Sequence, residues 1–178
     1  MSTSNLPEPG LPEPGLPEPW LRGPIEGVDP LLAPALCSFQ QVREDLALHT
    51  EGLTTEQVWA RPHGLAPLGF QLRHIAGSVD RLTTCLEGEQ LSQAQLETKD
   101  REMEPGATVE ELLAGVDRAL RRTEHVIRSL DAEALREPRR VGRLRLPATV
   151  QGLVMHIAEH TQRHLGQAIS AAKLARVA

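Results

Sequence analysis

Three histidines spaced four residues apart are the feature of this sequence most capable of chemistry. His156, His160 and His164 lie in one apolar, periodic segment near the C-terminus. Residues four apart lie above one another on a helix, so neutral imidazoles there can converge on a divalent metal ion. A rise of about 1.5 Å per residue separates His156 from His164 by roughly 12 Å, too far for one ion. A working pair must be His156 with His160 or His160 with His164.

The apolar face of this segment favours the second pair. On a helical wheel the apolar stripe runs through Ile157, with His164 inside its edge and His160 about 40° further out. His156 lies further still, where it is expected to be solvated or to line a pocket. We therefore choose His160 and His164 as the residues that point into the protein.

Two imidazoles seldom hold a metal, so a third ligand should come from another helix. His74 is the best candidate, because it lies in the middle of a helical pattern at the edge of the apolar stripe. The same flank carries Gln71, Ser78, Arg81 and Cys85. A buried histidine satisfied by hydrogen bonds is the alternative for His74, and the HxxxH spacing also arises by chance. From the residues alone, both interpretations stay open.

Composition argues against several classes of protein. A chain of 178 residues is long enough for one domain with a full core. Its net charge of -5, with two Phe, two Trp and no Tyr, argues against nucleic-acid binding. No apolar stretch approaches the roughly 20 residues of a membrane span, and the N-terminus does not look like a signal peptide. We expect a cytoplasmic protein, and its two cysteines, Cys37 and Cys85, fit a reducing compartment.

Residues 1–28 are predicted to be a proline-rich tail outside the folded domain, which we place at residues 29–178. Residues 6–20 contain three pentads, LPEPG, LPEPG and LPEPW. Two prolines in each pentad exclude helix and central strand, so the tail should be polyproline II or loosely held. A docking segment for a proline-binding module is the alternative.

Four long helices are predicted in the domain. They run from Asp29 and Pro30 to about Gly52, from Pro67 to Gly88, from the cap at Thr108 to Leu130, and from Pro147 to near Leu174. A short helix follows the capping box at Thr54, residues 89–106 form a linker or weak helix, and residues 136–145 form a basic loop. No segment alternates with period two as strands do. The fold class is therefore all-α, most simply an antiparallel up-down four-helix bundle.

Two segments resemble the DinB/YfiT-like family. They are LRHIA at residues 72–76 and HIAEHTQRHLGQ at residues 156–167, and the likeness extends from about Asp29 to Leu174. The resemblance implies a four-helix bundle, commonly a homodimer, that binds zinc, nickel or a related divalent ion through three histidines. Carried over by position, those ligands are His74, His160 and His164.

The resemblance also suggests a chemistry. Some relatives transfer low-molecular-weight thiols such as bacillithiol, mycothiol or glutathione, and many have no established activity. Three imidazoles leave a coordination position open, where a thiol or a water is activated. We expect a metal-dependent thiol S-transferase for small electrophiles; a metal-dependent hydrolase and a non-catalytic stress or interaction protein are the alternatives. Residues expected around the pocket are His156, Gln71, Ser78, Arg81 and Gln167.

Overall fold

The computed structural model describes residues 16–177, and they are mostly helical. The helices are α1 (Ala33–Thr50), α2 (Thr55–Trp59), α3 (Leu68–Leu86), α4 (Gln93–Asp100), α5 (Val109–Arg128) and α6 (Val150–Ala175), and two short strands, β1 (Pro138–Val141) and β2 (Leu146–Thr149), precede α6. The predicted helical class is thus confirmed. None of the helices in this range is long and apolar enough to cross a membrane.

Local sequence signals explain where most of the helices begin. Thr54, Ser92 and Thr108 each form a capping box, in which the side chain of the capping residue and that of the residue three positions later satisfy each other's backbone amides. The hydroxyl of Thr149 accepts from the Gly152 amide at the start of α6. Helices α1 and α3 have no side-chain cap, and α1 begins later than Asp29 and Pro30 suggest.

The four long helices pack around one hydrophobic core. Helix α3 contacts α5 and α6, and α1 contacts the same two helices. The largest fully buried side chains come from all four, including Phe39, Leu72, Ile75, Leu120, Ile127 and Ile157. Polar contacts link the helices as well: the hydroxyls of Thr83 on α3 and Thr123 on α5 lie 2.6 Å apart, fully buried. This packing brings the middle of α3 beside the middle of α6.

A β-hairpin replaces the basic loop predicted at residues 136–145, so that prediction and the absence of strands were wrong. Strands β1 and β2 pair antiparallel from Pro138 opposite Thr149 to Val141 opposite Leu146. The guanidinium of Arg139 donates to the Leu86 carbonyl at 2.7 Å, which ties the hairpin to the end of α3. The less exposed positions of β1 are an arginine and a valine, so residue types show no apolar alternation although burial alternates.

The segment between α3 and α5 is ordered around α4, in agreement with the weak-helix alternative. After α4 the chain turns inward and buries Glu102. At the other end of the chain, Pro19–Leu21 form a short 3-10 turn that contacts α1. Arg22 pairs with Glu44 of α1 through two hydrogen bonds of 2.6 and 2.7 Å. The first two pentads of the predicted tail lie outside the described residues.

Candidate metal centre

His74 of α3 meets His160 and His164 of α6. One nitrogen from each residue lies within 4.8 Å of the other two. The Nε2 atoms of His74 and His160 are 3.2 Å apart. Adjacent nitrogens of a tetrahedral site with metal–nitrogen bonds of about 2.0–2.1 Å are roughly 3.3 Å apart, so this spacing is close to that of a metal site. The three residues are half-buried.

Two of the rings are oriented by hydrogen bonds on their far nitrogens. Nδ1 of His74 lies 2.7 Å from Oε2 of Glu102, and Nδ1 of His164 lies 2.8 Å from Oε1 of Gln71. Both partners are acceptors, so each Nδ1 is the donor in its hydrogen bond, which leaves Nε2 as the nitrogen for a metal. A carboxylate or carbonyl behind a histidine is the usual arrangement around a metal-binding imidazole.

The environment keeps the imidazoles of His160 and His164 neutral. Burial lowers the pKa of His164 to about 4, and the neighbouring His74 and His160 act in the same direction. Burial also lowers the pKa of His160, again with a contribution from His74. Both residues are therefore unprotonated at neutral pH, which is the form that binds metals.

Glu102 connects the cluster to a second charged residue. Its Oε1 lies 2.9 Å from a guanidinium nitrogen of Arg81. Burial would raise the pKa of Glu102, but the hydrogen bond from His74 and the charge of Arg81 outweigh it and hold the pKa below its usual value. A Cβ at Gly77 would lie 2.7 Å from both the Glu102 carboxylate and the Arg81 guanidinium, so the lack of a side chain there makes room for the pair.

Sequence reasoning did not identify Glu102. The residue lies in a polar segment with other acidic residues, 28 positions from His74, and nothing local distinguishes it from Asp100 or Glu104. An acidic or amide partner for the histidines could be anticipated in general, because metal-binding imidazoles usually have one. Its position follows only from the path of the chain after α4.

A cavity of ≈ 580 Å³ lies beside the cluster and is lined by His74 and His160. His156 also lines it, with a half-exposed side chain whose ring centroid is 5.4 Å from that of His160. Leu82, Leu91 and Leu96 form apolar parts of its wall. The cluster thus opens through two of its three histidines onto a space large enough for a small molecule.

The other residues predicted around the pocket have different positions. Ser78 lines the cavity, and its hydroxyl donates to the Ile75 carbonyl. Gln71 is buried behind His164. Arg81 lines the cavity, with a side chain only 11% exposed. Gln167 is exposed on α6 and is not part of the cavity wall.

Comparison with known families decides the classification. A sequence model of the DinB superfamily matches residues 38–168, nearly three quarters of the chain. The chain belongs to the DinB superfamily. The resemblance in residues 72–76 and 156–167 is confirmed, because both segments lie within the match. A search of curated proteins finds no match to the chain. In this DinB superfamily protein, three imidazoles, two of them oriented by hydrogen bonds, form a cluster that could hold a divalent metal ion.

Proposed function

We propose that this protein binds a divalent metal ion, zinc or nickel, through His74, His160 and His164, and that it transfers a low-molecular-weight thiol to a small electrophile. The supporting observation is a three-imidazole cluster that opens onto a cavity of ≈ 580 Å³. The helices that carry it would form an antiparallel four-helix bundle of the DinB type.

The donor set suits these metals. Imidazole nitrogens bind zinc and nickel well, whereas magnesium and calcium prefer oxygen ligands. Three protein ligands leave at least one coordination position free, as in catalytic zinc sites. A divalent ion held by these residues would lower the pKa of a bound thiol and so would supply a nucleophilic sulfur at neutral pH.

The protein's own residues prepare this reaction. Glu102 and Gln71 hold the rings of His74 and His164 so that their Nε2 atoms face the centre. The leucines of the cavity wall exclude water around the reacting groups, while the exposed rim at His156 lets the thiol proton pass to solvent. The sulfur electron pair then forms the new sulfur–carbon bond, and the displaced group leaves with the electron pair of the bond that breaks.

A conjugation assay tests the proposal. The full chain, loaded with zinc or nickel, is incubated with 1-chloro-2,4-dinitrobenzene and a panel of small thiols, and thioether formation is followed by absorbance. We expect metal-dependent conjugation that is lost in His160→Ala and kept in His125→Ala, since His125 is exposed on α5. If none of the thiols gives metal-dependent conjugation, the proposed transferase activity is wrong. Metal-dependent hydrolysis of 4-nitrophenyl esters without added thiol would instead support the alternative function, a metal-dependent hydrolase.

A further inference from the structure

The β-hairpin concentrates positive charge on an acidic protein. The chain has a net charge of -5, yet residues 138–149 contain four arginines and no acidic residue. Arg139 has a structural role, because it donates to the Leu86 carbonyl and pairs with Glu137. Within residues 16–177, no carboxylate lies within ion-pair distance of Arg140, Arg143 or Arg145. These three guanidinium groups remain available to a ligand.

The turn of the hairpin is part of the wall of the candidate site. Gly142 and Arg143 line the cavity that contains His74 and His160. The same two residues also line a second cavity of ≈ 270 Å³, whose wall includes Arg140 and Arg145. Cys85, Leu91 and Leu96 are shared as well, so the two cavities adjoin. The larger cavity therefore extends from the histidines to Arg143, and the smaller cavity with Arg140 and Arg145 lies beside it.

The hairpin turn has a defined shape. Gly142 and Arg145 both have positive φ, +66° and +49°, and the Arg145 amide donates to the Gly142 carbonyl at 3.1 Å. Positive φ is uncommon for an arginine and indicates that the surroundings impose this backbone. Val141 packs against the core directly before the turn. Val141 thus anchors the base of the turn, and Gly142 and Arg143 beyond it line the cavity.

Positive charge predominates in the two cavities. Besides the three arginines, Lys99 lines the larger cavity, and the facing acids are Asp100 there and Glu89 in the smaller cavity. Arg81 is neutralised by Glu102. Four free cations against two carboxylates attract anions, and a divalent ion on the histidines would add to this attraction.

We propose that the small molecule bound at this site carries one or two carboxylates at the end away from the reacting atom. Its acidic end is bound by Arg143 and Arg145, while its thiol reaches the histidine cluster. The inference rests on the proposed function, because it assigns the class of thiol that the transferase uses. The two adjoining cavities together have the size of a typical small-molecule site.

Titration calorimetry with thiols of different charge tests this inference. The zinc-loaded full chain is titrated with mercaptosuccinate, which carries two carboxylates, with neutral 3-mercaptopropane-1,2-diol, and with succinate, which lacks the thiol. We expect mercaptosuccinate to bind at least about fivefold more tightly than the neutral thiol, with a preference that weakens as salt is added. The double variant Arg143→Gln/Arg145→Gln should lose the preference. Arg118→Gln on α5, which removes an exposed arginine away from both cavities, should keep it.

The possible outcomes separate the two proposals. Equal affinity for the charged and neutral thiols would contradict the proposal that the substrate is anionic, and so would a preference that is unchanged in the hairpin variant. Neither result would contradict the proposal of thiol transfer. Binding of succinate that depends on the hairpin arginines, without added affinity from a thiol group, would support the anion site and contradict thiol transfer. Circular dichroism and zinc content, which we expect to be unchanged in both arginine variants, show that an altered preference is not a loss of fold.

Discussion

At the scale of single residues, the site depends on groups that lie behind the histidines. The carboxylate of Glu102 holds His74 through Nδ1, and Gln71 does the same for His164. Such partners set which nitrogen is free and how basic it is. The three histidines alone would be free to turn, so the cluster and its partners must be considered as one unit.

Glu102→Gln should weaken metal binding without unfolding the protein. Glutamine has the same shape as glutamate but no charge. The negative charge of Glu102 favours a metal-bound imidazole at His74 and pairs with Arg81. Loss of such a partner typically lowers metal affinity by about 10- to 100-fold. The measurement is a competition titration with a chelator, with Glu104→Gln as the matched control because that side chain is exposed two residues away. Equal affinities in the two variants would contradict the role of Glu102.

The low pKa of His164 predicts acid sensitivity of the metal-free protein. The pKa is about 4 in the folded chain against an ordinary 6.5, so between these values the unfolded chain binds a proton that the folded chain rejects. The free energy of unfolding should therefore fall as the pH drops from about 6.5 towards 4, and His160 acts in the same direction. In urea unfolding between pH 6.5 and 5, His164→Asn should show a smaller fall than wild type. His125→Asn should keep the wild-type fall, and a full fall in His164→Asn would contradict the assignment.

At the scale of elements, the sequence predicts the helices whose ends and faces are set by residues close together in the chain. Capping boxes and the 3.6-residue apolar period placed α2, α3, α5 and α6 closely, because these signals act within a few turns. The hairpin could not be found in this way, since its strands are four residues long and depend on a tie between Arg139 and the end of α3. The residues alone made His74 the best third ligand beside His160 and His164 but left a packing role open, and the resemblance favoured the metal site. The approach of Glu102 to His74 depends on the tertiary path and has no local signal.

The junction of α2 and α3 allows a sharp test of packing. A Cβ added to Gly69 would lie 2.7 Å from the Trp59 indole, whose Nε1 donates to the Ala107 carbonyl. Gly69→Ala should therefore displace the ring and cost about 1–3 kcal/mol of unfolding free energy, measured by denaturant unfolding. Gly166→Ala is the matched control in α6, where nothing lies within 4 Å, and it should be neutral or stabilising by up to about 1 kcal/mol. Equal effects of the two substitutions would contradict the close contact.

At the scale of the whole molecule, one core supports a site at its edge. Helices α3 and α6 supply the histidines, the segment after α4 supplies Glu102, and the hairpin forms part of the cavity wall. These parts come from most of the length covered by the DinB superfamily match. Assembly of the site therefore requires the complete fold, and we expect metal binding to be lost on unfolding.

The most direct test of the central claim is the metal content of the full chain. The protein is purified without a metal-affinity tag, supplied with zinc, desalted and measured by elemental analysis. We predict about one zinc ion per chain in wild type and in His156→Ala, and far less in His160→Ala or His164→Ala. His156 is the matched control because it lies beside His160 but outside the cluster. A wild-type protein without bound metal, or an unchanged content in His160→Ala and His164→Ala, would contradict the metal centre.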